Sequence, residues 1–198
     1  MPANGLEHIR TLREAGVLQD SGTQKLDLRK GVILVHCADG DQVHDKYTHM
    51  VKAFEALGIA PRTHILSLNG GALRIPANSP LNAKVQHHHV YMENIVEART
   101  LKGIDSIQLG VHYPCGAATL AGLSVIDCLM LLHQARMDVL GLNHGVTVVC
   151  TLHVDYGDNR KRTYQICLDR LATWFEENYE TTMDEGLAEV ARTDVRGS

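Results

Sequence analysis

What this 198-residue chain lacks narrows what it can be. It has no surplus of positive charge. Its 19 lysines and arginines face 23 aspartates and glutamates, a formal net charge of −4, so no domain-wide basic surface for nucleic acid is implied. It has no long apolar run either. The stretch GAATLAGLSVIDCLMLL (116–132) is short for a membrane span and carries Asp127, so it reads as a buried core helix. No apolar leader opens the chain, whose first residues, MPANGLEHIRTLREAG, are polar and helix-like; a cytoplasmic protein with no membrane partner is the expectation. Internal repeats, low-complexity segments and signs of a second domain are also missing. Five cysteines without an export signal read as reduced thiols, not a disulfide framework.

What is present fits one globular domain of ordinary size, with 44% apolar and 21% charged residues. GVILVHC (31–37) and DSIQLGVH (105–112) are short apolar runs that suit buried strands. RTHILSLN (62–69) alternates more and stops at Asn69-Gly70-Gly71, a strong turn signal. Val43, Tyr47, Met50, Val51, Phe54 and Leu57 recur at helical spacing and stop at Gly58, predicting a helix over 42–58. Residues 81–101 and 117–140 predict two more helices, the second apolar nearly all round and so buried. GVTVVCTLHVDY (145–156) and RTYQIC (162–167), joined by GDNRK, predict a late hairpin. From Leu168 to about Ala191 the chain reads as one or two helices. The acidic residues there, Asp169, Glu176, Glu177, Glu180, Asp184, Glu185 and Glu189, form solvated faces with Arg170 and Arg192.

Alternating strands and helices predict an α/β fold with a mostly parallel central sheet and flanking helices. The expected organisation is a single domain over 1–198. An N-terminal helical arm (1–29) precedes the core (30–167), and C-terminal helices (168–198) follow it. In such sheets the ligand site lies beyond the carboxyl ends of the strands, which singles out Cys37–Asp41, Asn69–Arg74 and His112–Cys115.

His112-Tyr113-Pro114-Cys115 offers an imidazole and a thiol where a strand turns into a helix, and Cys37 offers a second thiol from another strand end. Two thiolates, one imidazole and one further position make a tetrahedral set suited to zinc. The fourth position could hold water, leaving an open centre, or the Asp39 carboxylate, closing it. Helix N-termini follow both cysteines and would help keep the thiolates ionised. Either half alone is a weak signal, since a buried cysteine beside a core histidine would account for it; the two together favour a metal. The other candidates read more plainly. His87, His88 and His89 suit an exposed helix start, and His36 and His153 suit core or edge positions. Cys128, Cys150 and Cys167 read as buried small hydrophobes, while Tyr113 and Pro114 shape the ligand turn. No residues are assigned to an organic cofactor.

Cys37-Ala38-Asp39, Asn69-Gly70-Gly71-Ala72 and His112-Tyr113-Pro114-Cys115-Gly116-Ala117 follow three strands in order. With the long apolar helix after Cys115 and the late strand around HVDYGDNRKRTYQI, they resemble the β-class carbonic anhydrases over about residues 30 to 167. The resemblance implies that Cys37, His112 and Cys115 ligate Zn2+ and that Asp39 is the acidic member of an Asp–Arg dyad. It also implies reversible hydration of carbon dioxide to bicarbonate by zinc-bound hydroxide, in a homodimer or dimer of dimers paired through a sheet edge and an N-terminal helix near Leu6–Ala15. The departure is at 41, where the family's C-x-D-x-R becomes C-A-D-G-D. Asp41 cannot grip Asp39 as an arginine would. The expectations are therefore altered or reduced hydration, with Asp39 available as a fourth metal ligand and Arg74 a surface residue that could supply the missing cation. The alternatives are a hydrolase of carbonyl sulfide or carbon disulfide at the same zinc, and a catalytically silent zinc-stabilised binding or regulatory protein.

Overall fold

The computed structural model describes residues 3–20, 26–142 and 144–179. Six strands form one sheet: β1 (Leu18–Asp20), β2 (Val32–Cys37), β3 (Thr63–Leu68), β4 (Ser106–Tyr113), β5 (Thr147–Asp155) and β6 (Lys161–Ile166). Their spatial order is β1-β6-β5-β4-β2-β3. β3, β2, β4 and β5 are parallel neighbours, and β6 and β1 add an antiparallel edge. The helices are α1 (Ala3–Glu14), α2 (Gly40–Ala56), α3 (His88–Lys102), α4 (Gly116–Leu120), α5 (Val125–Leu142) and α6 (Leu168–Tyr179). The mixed α/β architecture with flanking helices is the one the alternation of patterns predicts.

β2 is buried along its whole length because helices cover both of its faces, which is why it reads as a continuous apolar run. Side chains alternate between two cores. Ile33 and Val35 join the larger one with Ile107, Leu109, Ile95 and Leu129, while Val32 joins a smaller one with Met50, Phe54, Val149, Leu26 and Leu28. β3 lies at the sheet edge and leaves Ile65 and Leu68 exposed, matching its weaker pattern.

Four expectations need correction. The 1–29 arm is not only helical, since β1 lies within it and pairs with β6. The helix expected over 81–101 begins only at His88; before it, Pro80–Asn82 makes a short 3-10 turn, and the Asn82 amide donates to the carbonyls of Arg74 and Pro76 at 3.0 and 2.9 Å. The helix expected over 117–140 is two helices. Gly122 breaks it in a left-handed conformation, and Ser124 with Asp127 restarts it as a reciprocal capping box, bonds of 3.1 and 2.8 Å. The buried stripe of α2 is Gln42, Lys46, Met50, Ala53 and Phe54, leaving Tyr47 and Leu57 exposed. Beyond Tyr179 the expected C-terminal helices lie outside the described residues. Among those residues no helix is long and apolar enough to cross a membrane.

Candidate metal centre

β2 and β4 are adjacent and parallel, with Val35 level with Leu109, so their carboxyl ends rise to the same height. Cys37 ends β2, His112 lies one residue before the end of β4, and Cys115 is the N-cap of α4. The two Sγ atoms and one ring nitrogen of His112 lie within 4.8 Å of one another, and all three residues are buried. Neither nitrogen of the His112 ring makes a hydrogen bond of normal geometry among the described residues, although the ring stands beside Cys37 and has Asp39 Oδ2 at 3.9 Å. A buried imidazole unsatisfied on both sides is costly, whereas a cation shared with two sulfurs would satisfy it. The donor set and its orphaned imidazole fit a metal ion of the zinc type.

Backbone N–H groups hold the sulfurs. Gly70 N–H donates to Cys37 Sγ at 3.2 Å. Gly70 is left-handed, and a Cβ at Gly71 would collide with the backbone of His36 and Cys37, so the glycine pair is what lets the turn after β3 close on the ligand. The Cys115 sulfur accepts from the amides of Ala117 and Ala118 at the start of α4. The neighbouring Cys115 and His112 side chains and the Gly70 amide hold the Cys37 thiol well below its usual range, while the neighbouring Cys37 and burial hold Cys115 well above it.

Asp39 stands beside this group. It is the N-cap of α2: Oδ1 accepts the Asp41 N–H at 3.0 Å, and Oδ2 is 3.9 Å from His112 Nε2. Although the Asp41 side chain cannot grip Asp39, its backbone N–H does pair with the carboxylate, whatever the side chain at 41 carries. The Asp41 side chain is exposed, and its carbonyl accepts from Lys161 Nζ at 2.6 Å. Arg74 does not replace the missing arginine. Its Nε donates to Asn69 O at 2.6 Å, Nη1 donates to Leu81 O and lies 3.2 Å from His87 Nδ1, and among the described residues it makes no ion pair.

The remaining candidates are dispersed. His88 bonds Ile75 O, His87 bonds Val85 O at 2.8 Å, and His89 is exposed. None of the three belongs to a metal-ligating group among the described residues. His36 and His153 are buried: His36 Nδ1 donates to Cys37 O at 2.7 Å and His153 Nδ1 pairs with Thr163 Oγ1 at 2.8 Å. Burial pushes the thiols of Cys128 and Cys150 up to about 12, as inert core cysteines require, while Cys167 is only half-buried. The residue that sequence reasoning missed is Lys46, 5% exposed on the inner face of α2, whose Nζ donates to Val111 O at 3.3 Å. Its signal was the spacing 39, 42, 46, 50, 53, which places it on one helix face with Asp39.

No protein-family model and no curated protein matches the sequence. Solved structures do. The chain is similar in structure to β-carbonic anhydrases. A carbonic anhydrase from Streptococcus mutans aligns over 81% of this chain and 95% of its own, at 14% identity and a TM-score of 0.43. A variant of a β-carbonic anhydrase from Aspergillus fumigatus aligns over 75% and 98%, at 11% identity and a TM-score of 0.41. β-Carbonic anhydrase isoform I of Trichomonas vaginalis aligns over 84% and 99%, at 13% identity and a TM-score of 0.36. The likeness is one of element arrangement, so the functional reading stands on the site itself.

Proposed function

We propose that this chain is a zinc-dependent enzyme of the β-carbonic-anhydrase type, interconverting carbon dioxide and bicarbonate. The observation that carries the reading is the unsatisfied, buried His112 ring facing two cysteine sulfurs at the ends of parallel strands. Cys37, His112 and Cys115 would hold the ion. When bound, zinc acidifies a water toward neutrality and so supplies the nucleophile for carbon dioxide. Asp39 keeps Oδ1 on its cap bond, which leaves Oδ2 on the side of His112 to accept a hydrogen bond from that water or to serve as a fourth ligand. The Gly70, Ala117 and Ala118 amides would hold the thiolates in place. A single-domain, cytoplasmic homodimer or dimer of dimers belongs to the same proposal.

One feature favours two other readings. The only hydrogen bond to the Asp39 carboxylate among the described residues comes from a neutral backbone N–H, where the resemblance calls for an arginine. A carboxylate so lightly held can close the site, which suits weak hydration, another electrophile such as carbonyl sulfide or carbon disulfide, or a silent zinc-stabilised protein. Stopped-flow hydration of carbon dioxide with elemental analysis on the same sample separates them. One zinc per chain with measurable hydration supports the proposal. Zinc without hydration leaves the alternatives, and a fully folded protein purified without metal overturns the metal reading. Asp41→Arg should raise the hydration rate; a fast wild-type rate with no gain in the variant would show that position 41 does not limit the reaction.

A further inference from the structure

The underside of α2 buries a cation where none is needed for packing. Lys46 follows Asp39 by two helical turns on the same face, and its only hydrogen bond among the described residues goes to the carbonyl of Val111, the residue before His112. The ammonium sits against β4 beside Gly110, where an added Cβ would be in ordinary contact with Lys46 Nζ at 3.7 Å. No carboxylate forms an ion pair with it among the described residues. The imidazoles of His36 and His153 lie near it, each with an Nε2 that has no hydrogen bond among the described residues, and both are held toward their neutral form mainly by burial, with Lys46 adding to that effect. Burial lowers the pKa of the Lys46 ammonium to about 8, and the charges of Cys37, Cys115 and Asp39, the side chains of the candidate metal centre, act in the opposite direction to keep it protonated. Burying an ammonium without a partner is strongly unfavourable, and it persists only where fixed negative charge offsets it.

We propose that Lys46 is a positioning residue of the metal centre, its buried ammonium a fixed counter-charge that favours an anion over a neutral ligand at the metal's fourth position. The inference rests on the metal-centre reading above. Two thiolates and one imidazole around a divalent ion make a neutral unit, which a nearby cation neither greatly helps nor hinders. A further anionic ligand makes the unit negative, and the Lys46 charge then stabilises it through a buried, poorly screened path. In this chain the charge that the resemblance would place at position 41 is thus supplied from beneath α2, through the sheet side of the same helix.

The test uses the full chain loaded with cobalt(II), whose visible spectrum reports the ligands of the metal. Asp39→Asn is the common background, so that no side-chain carboxylate competes for the fourth position. Lys46→Met, Lys46→Arg and Lys46 itself are compared by titration with thiocyanate, an anion, and with imidazole, a neutral ligand. All three should bind one cobalt per chain with thiolate charge-transfer bands. Thiocyanate affinity should fall about tenfold in Lys46→Met and stay near the parent value in Lys46→Arg. Imidazole should bind all three alike, which a merely structural defect would not spare. Thiocyanate affinity within twofold of the parent in Lys46→Met, or an equal loss for both ligands, overturns the inference while leaving the metal centre standing. A parent chain that binds no cobalt overturns the metal-centre reading and this inference with it. If Lys46→Met does not fold, Lys46→Gln, which can still donate to Val111 O, carries the same comparison.

Discussion

Toward its C-terminus α2 lays Met50, Ala53 and Phe54 on Val32 and Val149, and Leu26 and Leu28 complete a closed apolar layer. Toward its N-terminus the same helix face carries Gln42 and Lys46, near the buried His36 and His153 and the ligand end of β4. The first region satisfies every group it buries by burial alone. Among the described residues, the second leaves His36 Nε2, Gln42 Oε1, His153 Nε2 and both nitrogens of His112 without a hydrogen bond. One helix therefore does two jobs. Its apolar end contributes stability, and that surplus lets the other end keep polar groups buried at the strand ends where chemistry can use them.

Substitutions at four positions test this division, from the largest effect to the smallest. Cys115→Ser should abolish stoichiometric zinc, measured by elemental analysis, and lower stability along with it. A variant that keeps one tightly bound zinc per chain would move the metal away from the strand ends. Phe54→Ala, at a fully buried site of the apolar layer, should cost about 3–5 kcal/mol in denaturant unfolding yet leave zinc content of the folded protein unchanged. Loss of zinc in that variant would show that the two regions are not separable.

Asp39 lies at the junction, and two variants dissect it. Asp39→Ala removes the α2 cap and should cost about 0.5–2 kcal/mol, whereas Asp39→Asn keeps a cap oxygen and should stay close to the parent. Equal losses would mean that the charge facing His112 outweighs the cap. At the end of β4 opposite the ligands, Asp105 pairs with Lys30 at 3.2 Å and Arg99 at 3.3 Å, and these bonds hold its carboxyl below the usual 3.8. Because the folded state prefers the ionised form, the contribution is full well above 3.8 and is lost as pH falls below it. Asp105→Asn should cost less than about 1 kcal/mol at pH 7, since the pair is largely exposed and screened, and nothing once wild-type Asp105 is protonated in both states. Urea titrations at neutral and strongly acidic pH measure the difference.

The strand ends were legible in the sequence because short apolar runs, alternating with segments of helical period and stopped by a glycine pair or a ligand turn, mark where parallel strands finish. That is why Cys37, the Asn69–Gly71 turn and His112–Cys115 could be placed near one another before any coordinate was known. The α/β class followed from the same alternation of periods. Other features depended on contacts between segments distant in sequence. β1 is too short to announce itself and exists because β6 offers it an edge. The expected long helix after Cys115 divides because Ser124 and Asp127 cap a second start, a local signal outweighed by the apolar run around it.

Which stripe of α2 faces the sheet was likewise a tertiary decision. Val43, Tyr47 and Val51 make a more apolar stripe than Gln42 and Lys46, and hydrophobicity alone favours them at this end of the helix. The helix is anchored at Asp39, next to the end of β2, and that anchor turns Lys46 inward beneath the ligands. The ligand types at the strand ends could be read from the chain because a strand's end and its side-chain types are local properties. The cation beside them could not, because helix rotation is set by the surface the helix lands on.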